Sequence, residues 1–210
     1  QRVGQSPVVG SDETGIKING KKVWLWAFQT PVLTFLVVSL NRGFETIANV
    51  FKNGFPISVY VTDCWAAQLK TSAKAHQICI SHLLRELNNF MDALSCEWSV
   101  QMKQLLKSAL SLKDQLQHND YVNENENVKL LEKQLDVLLQ TDLADKHRKV
   151  QAFIKRLNKN RDAIFTFLHH PKVPPDNNAS ERAIRNAKVK MKVSNQFKVF
   201  AGAHRFAVLR

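Results

Sequence analysis

The stretch "PVVGSDETGIKINGKKVWLWAFQ", residues 7–29, decides the fold. Its first part, "PVVGSD", is β-branched and predicts a short strand that Asp12 closes. Asn19-Gly20 is a strong hairpin signal, because both central residues of a type I′ turn need positive φ. The run "KVWLWAFQ" then predicts a second strand, antiparallel to the first.

Outward from this hairpin, further strands and helices alternate. "LTFLVV" predicts a third strand, and "RGFETIANVFKNG" predicts a helix that stops at Gly54. "PISVYVTD" is a nearly continuous apolar run, typical of a buried parallel strand, and it delivers Asp63 to its carboxyl end. "HQICI" predicts a strand before a helix that begins near Ser81. With a short helix at "CWAAQL" between these last two strands, the order β-β-β-α-β-α-β predicts an α/β fold with a mixed sheet flanked by helices.

The composition changes in the second half of the chain. From Trp98 to Leu168 it is rich in Leu, Lys and Gln, with apolar residues at helical spacing. These residues are Met102, Leu105, Leu106 and Ala109, and then Val150, Phe153, Ile154 and Leu157. A polar segment, "HNDYVNENENV", divides the two sets and predicts an all-helical insertion of at least two hairpins. We therefore expect a core in residues 1–97, an insertion in 98–170, and completion of the core in 171–210.

Bulk composition restricts the class of protein. A chain of 210 residues with 44% hydrophobic content can bury a core. Thirty Lys and Arg against eighteen Asp and Glu give a formal charge of +12, which favours a polyanionic partner. No apolar run approaches the ~20 residues that span a bilayer, so nucleic acid is preferred over a membrane. An odd count of three cysteines indicates a reducing cytosol.

The step Cys79-x-x-His82 has the spacing of half a zinc site. No second half is visible in the sequence, and structural zinc needs four ligands. A buried thiol and a buried imidazole are therefore the default interpretation.

Three acids lie at the ends of predicted elements. Asp12 closes the first strand, Asp63 closes the fourth, and Glu181 lies near the start of the last long helix. Taken singly, Asp12 fits a turn acid and Asp63 fits a helix N-cap. Glu181 fits a capping box with Asn178.

Taken together, the acids indicate a metal site. If the first and fourth strands are neighbours, Asp12 and Asp63 emerge side by side, and Glu181 arrives from the helix packed across that end. Carboxylates so close repel one another unless cations neutralise them. Carboxylate oxygens suit Mg²⁺, with Mn²⁺ as its substitute. Two such ions support in-line phosphodiester displacement without a covalent enzyme intermediate.

Much of the positive charge lies in the last part of the chain. From His169 to Arg210, nine Lys or Arg against two acids give +7. One face of the predicted helix is apolar, through Ala183 or Ile184, then Ala187 and Met191. The basic residues predicted to contact the DNA backbone are Arg185, Lys188, Lys190 and Lys192.

Four motifs, in this order, resemble the catalytic domain of the insertion sequence 66 family of bacterial transposases. They are "SDETGIKINGKKVWLW", "VTDCWAAQ", "ICISHLLREL" and "VPPDNNASERAIRNAKVKMKVS". The resemblance covers nearly the whole chain except the helical insertion. Asn177-Asn178-x-x-Glu181-Arg182 is its most specific part. Family members often have Gly after the second Asp, where this chain has Cys64.

The resemblance implies a ribonuclease-H-like fold in which Asp12, Asp63 and Glu181 are the metal-binding triad. Asp12 is then expected to bridge two ions, because it lies on the central strand. Asn177, Asn178 and Arg182 become candidates for supporting the acids or positioning phosphate. The Cys79-x-x-His82 step becomes part of the core architecture.

The resemblance also implies partners and a location. Expected partners are double-stranded DNA, as element ends and as target, and further copies of the chain in the active complex. Segments that recognise the DNA ends are expected upstream of residue 1. The expected location is the bacterial cytoplasm, at the nucleoid.

Three functions share these residues. The first is a transposase that hydrolyses DNA at an element's end and transfers the 3′-hydroxyl into target DNA. The second is a DNA-binding module without chemistry, and the third is a ribonuclease-H-like nuclease without strand transfer. A glycosidase would also use two carboxylates, but the +12 charge and the sparse aromatics outside the core disfavour it.

Overall fold

The computed structural model describes residues 2–116, 118–121, 125–143 and 148–208. Its strands are β1 (Val8–Ile18), β2 (Lys21–Gln29), β3 (Thr34–Ser39), β4 (Phe55–Thr62) and β5 (Ala73–Ile78). Its helices are α1 (Phe44–Val50), α2 (Ala66–Leu69), α3 (Ile80–Leu94), α4 (Glu97–Gln115), α5 (Glu126–Leu139), α6 (Arg148–Lys159), α7 (Thr166–His169), α8 (Asn178–Ser194) and α9 (Phe200–Val208). Short 3-10 turns span Val3–Gln5, His118–Tyr121 and Arg161–Ala163. The predicted order of the first seven elements is confirmed, whereas residues 122–124 of the polar segment lie outside the described residues.

The opening hairpin forms as predicted, but its first strand is longer. Asn19 and Gly20 have φ of 46° and 75°, as a type I′ turn requires. β1 pairs antiparallel with β2 from Gly10 to Ile18. The prediction that Asp12 closes the strand is therefore wrong, because pairing with β2 carries the strand past it.

The sheet has the order β3-β2-β1-β4-β5, which places β1 at its centre. β1 is parallel to β4 over a short stretch, where Val8 to Gly10 pair with Val59 to Val61. The predicted neighbourhood of the first and fourth strands is thus confirmed. β1 carries antiparallel pairing on one edge and parallel pairing on the other.

Both faces of the sheet are covered by apolar residues. Successive side chains of a strand alternate between the two faces of a sheet, so Ile16 and Ile18 of β1 share one face. On that face they pack with Ile184 and Ala187 of α8. On the opposite face, a second cluster is centred on large side chains of β1, β2, α1 and β4. Its members include Val9, Trp26, Phe28, Ile47, Phe55 and Tyr60.

The helix α1 ends earlier than the glycine signal indicated. It ends at Val50, whereas Gly54 lies in the turn that leads into β4. Gly54 does adopt a left-handed conformation, with φ of 62°. A side chain there would also collide with the carbonyl group of Ser72. The glycine therefore serves the entry to β4 rather than the end of the helix.

The chain divides into two compact units, residues 1–76 with 177–210, and residues 77–176. All three predicted acids belong to the first unit. In the second unit, the apolar residues predicted at helical spacing in α4 and α6 are buried. The domain boundaries predicted from the sequence stay a prediction. Within the described ranges, no helix combines the length and apolar character needed to cross a membrane.

Candidate active site

Asp12 lies just past the point where β4 leaves β1. The last parallel pair joins Gly10 to Val61, and Asp12 follows two residues later, opposite Ala27 of β2. Its side chain is half-buried, and its Oδ1 accepts a hydrogen bond from the backbone N–H of Glu13 at 2.8 Å. By alternation, Asp12 lies on the sheet face that α8 covers. Asp12 therefore lies just beyond the parallel pairing, although β1 continues past it.

Asp63 follows directly after β4, as predicted. It is half-buried, with one carboxylate oxygen inaccessible to solvent. Its carbonyl oxygen accepts a hydrogen bond from the Trp65 N–H at 2.7 Å. The alternative that Asp63 caps the next helix is wrong, because α2 begins at Ala66 and its N-cap is Trp65.

The two aspartates interact electrostatically. The pKa of Asp12 is raised to about 7, first by burial and then by the negative charges of Asp63 and Glu13. The Glu13 N–H and the positive charge of Lys188 oppose this rise. Asp12 and Asp63 are thus close enough for each charge to disfavour the other, which is the condition that a bound cation would relieve.

Glu181 is held near the sheet by the start of α8. The buried Asn177 donates a hydrogen bond from Nδ2 to the Ser11 carbonyl oxygen at 2.6 Å. Ser180 is fully buried. Its Oγ and the Asn177 Oδ1 lie only 2.6 and 2.8 Å from the position that a Cβ on Gly10 would occupy. The first turn of α8 therefore rests on the bare β1 backbone at Gly10, two residues before Asp12.

This arrangement replaces the predicted capping box. The N-cap of α8 is Asn177, and its side chain forms no cap hydrogen bond. A box between Asn178 and Glu181 would require the helix to start one residue later. The Asn177 amide instead joins the helix to the strand that carries Asp12.

The orientation of α8 brings its acid-bearing face towards Asp12. Glu181 and Lys188 stand seven residues apart and share a face. Lys188 acts electrostatically on Asp12, so that face is turned to the strand. One carboxylate oxygen of Glu181 is inaccessible to solvent. Among the described residues, however, the oxygens of Asp12, Asp63 and Glu181 do not all lie within 4.8 Å of one another.

The basic residues of α8 are mostly at the surface. Arg182, Arg185, Lys188 and Lys192 are exposed. Lys190 is half-buried and its Nζ donates to the Ser194 hydroxyl at 3.0 Å. The predicted apolar stripe is confirmed with Ile184 rather than Ala183 at its buried centre. An exposed cationic surface is thus available, while its contact with DNA stays a prediction.

The Cys79-x-x-His82 step lies at the start of α3, in the second unit. Cys79 is the buried N-cap, and its carbonyl oxygen accepts from the His82 N–H at 3.2 Å. The Ile80 N–H donates to the Pro175 carbonyl at 2.9 Å, which links this helix start to the segment before α8. Whether the step belongs to the catalytic architecture stays a prediction.

Sequence reasoning missed a polar cluster on the other face of β1. Glu13 follows Asp12 but points the opposite way, and its side chain is 5% exposed. Arg42 contacts one Glu13 oxygen, from Nε at 2.9 Å and from Nη2 at 2.8 Å. Gln68 donates to the other Glu13 oxygen at 3.2 Å. The only sequence signal was an acid at an inward strand position, and nothing in it identified Arg42 as its partner.

This cluster predicts an asymmetric response to mutation. Arg42→Met leaves the buried Glu13 carboxylate without its cation and is expected to lower the free energy of unfolding by about 2–4 kcal/mol. Glu13→Gln leaves Arg42, which is 42% exposed and can be hydrated, so we expect about 1 kcal/mol or less. Urea denaturation of both variants measures the difference. Equal losses of unfolding free energy in the two variants would show that the buried Glu13 carboxylate does not need Arg42 as its cation.

The raised pKa of Asp12 predicts a pH-dependent stability. The pKa is 3.8 for the unfolded group and about 7 in the fold, so the folded state binds more protons between these values. The free energy of unfolding of the metal-free protein should therefore fall as the pH rises from 4 to 8. Asp12→Asn removes this loss of unfolding free energy. The difference in unfolding free energy between Asp12→Asn and the wild type should therefore grow with pH, to a few kcal/mol at most.

Denaturation in EDTA at several pH values tests this expectation. Added Mg²⁺ should stabilise the wild type more at pH 8 than at pH 6, because the ion binds the ionised carboxylate. An Asp12→Asn advantage that is constant from pH 4 to 8 would contradict the assignment of the titration to Asp12.

The arrangement of the sheet and its helices defines the class of this protein. A mixed five-stranded sheet of order β3-β2-β1-β4-β5 with flanking helices defines a ribonuclease-H-like α/β protein. The family model described as "Transposase IS66 family" matches residues 1–205, and the chain belongs to this family. Comparisons with curated proteins and with solved structures gave no match.

Proposed function

We propose that this chain is the catalytic domain of a DNA transposase, which cuts DNA at the ends of its element and transfers the new 3′-hydroxyl into target DNA. Membership of a transposase family supports a DNA substrate. The observation that carries the chemistry is that Asp12 and Asp63 each lie two residues past the last parallel pair of β1 and β4, Gly10 and Val61. There burial, and then the charge of Asp63, raise the pKa of Asp12. Two carboxylates that destabilise each other in this way are arranged for a cation rather than for folding stability.

The donor set fits hard divalent cations. Asp12, Asp63 and Glu181 offer only carboxylate oxygens, which Mg²⁺ and Mn²⁺ prefer. We propose Asp12 as the ligand shared by two ions, because it lies on the central strand, which is next to the strand that precedes Asp63 and is covered by the helix that carries Glu181. When bound, such ions activate an attacking oxygen and stabilise a leaving oxygen at phosphorus. Glu181 would supply the third carboxylate of the set that holds them.

The remaining site residues have supporting roles in this proposal. Asn177 is a positioning residue, since its hydrogen bond to the Ser11 carbonyl fixes the turn that carries Glu181. Asn178 and Arg182 are candidates for holding phosphate near the acids. The exposed Arg185, Lys188 and Lys192, with the half-buried Lys190, would bind the backbone of duplex DNA and position it without reading its sequence. Further copies of the chain in the active complex and work at the bacterial nucleoid belong to the same proposal.

Two experiments test the proposal. Crystals soaked in Mn²⁺ should show anomalous density between Asp12 and Asp63, and its absence there would contradict the metal site. A labelled duplex that carries an element end, incubated with a target plasmid and Mg²⁺, should yield both cut ends and joined products. Cut ends without joined products would indicate a nuclease, and binding without cleavage would indicate a DNA-binding module.

A further inference from the structure

Cations and aromatic rings alternate on the α1 face of the first unit, the sheet face opposite Asp12. We name four of these residues the cation–aromatic ladder: Lys22, Trp24, Arg42 and Trp65. The Lys22 Nζ lies 4.6 Å from the centre of the Trp24 ring. The Arg42 guanidinium lies 4.7 Å from the Trp24 ring and 4.3 Å from the Trp65 ring.

The backbone provides room for this ladder. Gly15 pairs with Trp24 across the hairpin. A Cβ on Gly15 would lie 3.0 Å from Lys22 Cε, so the glycine leaves space for the Lys22 side chain. A further cation–ring pair joins Phe44, two residues after Arg42, to Lys70, five residues after Trp65. The Lys70 Nζ lies 4.9 Å from the centre of the Phe44 ring.

Trp65 is the ladder residue nearest in sequence to an acid. It follows Asp63 by two residues and is 41% exposed. Arg42 lies against its ring, and the buried Glu13 holds Arg42 in place. The indole is thus in contact with a cation held by an ion pair, while much of its surface remains accessible to water.

Internal packing alone does not explain this arrangement. A tryptophan that served only the core would gain more free energy by full burial, as Trp26 does at 0% exposure. Aromatic rings alternating with cations are the pattern by which proteins hold single-stranded nucleic acid, because bases stack on the rings and phosphates meet the cations. The +12 charge of the chain suits the same ligand.

We propose that the cation–aromatic ladder binds an unpaired stretch of DNA, with one base stacked on Trp65, two residues after Asp63, and the strand's phosphates near Lys22. This inference rests on the proposed function, since it names the form of DNA that the site accepts. The ladder faces away from α8, so duplex DNA on the basic face of α8 and an unpaired strand on the ladder would use separate surfaces.

Binding in EDTA tests the ladder without cleavage. The probes are a fluorescein-labelled oligothymidylate of about 12 nucleotides, within the site sizes typical of such surfaces, and a blunt duplex of the same length. Trp65→Ala in the full chain should weaken oligothymidylate binding about tenfold, the usual effect of losing one stacked base, and duplex binding less than about twofold. Trp65→Phe keeps a ring and should lose less than Trp65→Ala.

Two control variants sharpen the comparison. Phe35→Ala removes an aromatic ring of similar exposure, 42%, from the edge strand β3 and should leave both affinities unchanged. Arg185→Ala on α8 should show the opposite preference and weaken the duplex more than the single strand. Circular dichroism of each variant confirms that it is folded.

A second readout covers the case in which Trp65→Ala does not fold. Oligothymidylate should quench the tryptophan fluorescence of the wild type more than that of Trp65→Phe. Equal quenching, or an unchanged ratio of single-strand to duplex affinity in Trp65→Ala, would overturn the proposal. So would altered self-association in sedimentation without altered DNA affinity, because the ladder would then contact a second copy.

Failure of the proposed function appears in a different measurement. If Asp63→Asn retained cleavage, the metal assignment would fail, whereas the binding results for Trp65 would stand. If Trp65→Ala bound single strands normally while the acid variants lost cleavage, only the ladder would fail.

Discussion

Asp12→Asn, Asp63→Asn and Glu181→Gln are each expected to lower the rates of DNA cleavage and strand transfer at least about 10³-fold in the full-length transposase. Each change removes a charged ligand while keeping nearly the same side-chain volume. The loss corresponds to about 4 kcal/mol of transition-state stabilisation, within the several kcal/mol that bound metal ions supply. Single-turnover assays on a labelled element end measure both steps.

The fold and DNA affinity should survive these changes. Asp12→Asn should even be the more stable protein at pH 8, because the charge that burial and Asp63 disfavour is gone. Asp162→Asn is the matched control, since its carboxylate is 99% exposed and lies in the second unit. Wild-type cleavage by any of the three acid variants would remove that residue from the site.

Gly10→Ala is expected to damage both stability and activity, although it adds a single methyl group. The new Cβ would lie 2.6 Å from the Ser180 Oγ and 2.8 Å from the Asn177 Oδ1, so the start of α8 must move away from β1. Overpacking of this kind costs about 1–3 kcal/mol. A displacement of about 1 Å at Glu181 would lower the cleavage rate about 10²-fold. Denaturant unfolding and the cleavage assay measure the two effects.

A second substitution should identify the cause. Ser180→Ala in the Gly10→Ala background removes one of the two clashing atoms and should recover part of both losses. Gly202→Ala is the matched control, because a Cβ there would meet its nearest side-chain atoms at 3.9 and 4.0 Å, which is ordinary contact. If Gly10→Ala behaved like Gly202→Ala, the close approach of α8 to β1 would not control the site.

Local patterns made much of the sheet predictable. The Asn19-Gly20 turn, the apolar run before Asp63 and the alternation along "KVWLWAFQ" each follow from neighbouring residues. Errors arose where pairing with another segment decides the outcome. β1 continues past Asp12 because the Asn19-Gly20 hairpin pairs it with β2 as far as Ile18, so the end of the β-branched run "PVVGSD" is not the end of the strand.

The same limit applies to the candidate site. Asp12 and Asp63 were predictable as neighbours, since each follows the parallel stretch of two strands that lie side by side. The capping box was a sound local interpretation of Asn178 and Glu181, but the amide of Asn177 bonds to a strand carbonyl 166 residues away in sequence. The pairing of Glu13 with Arg42 was equally invisible, because it depends on which face each side chain occupies.

The second unit lies between Asp63 and Glu181 in the sequence and therefore sets the delay between their synthesis. Asp12 and Asp63 leave the ribosome early, whereas Glu181 follows only after residues 77–176 have been synthesised. At translation rates of about 5–20 residues per second, the gap between Asp63 and Glu181 lasts roughly ten seconds. During that interval the nascent chain holds two of the three proposed ligands, so a prematurely terminated product lacks the complete set of proposed metal ligands.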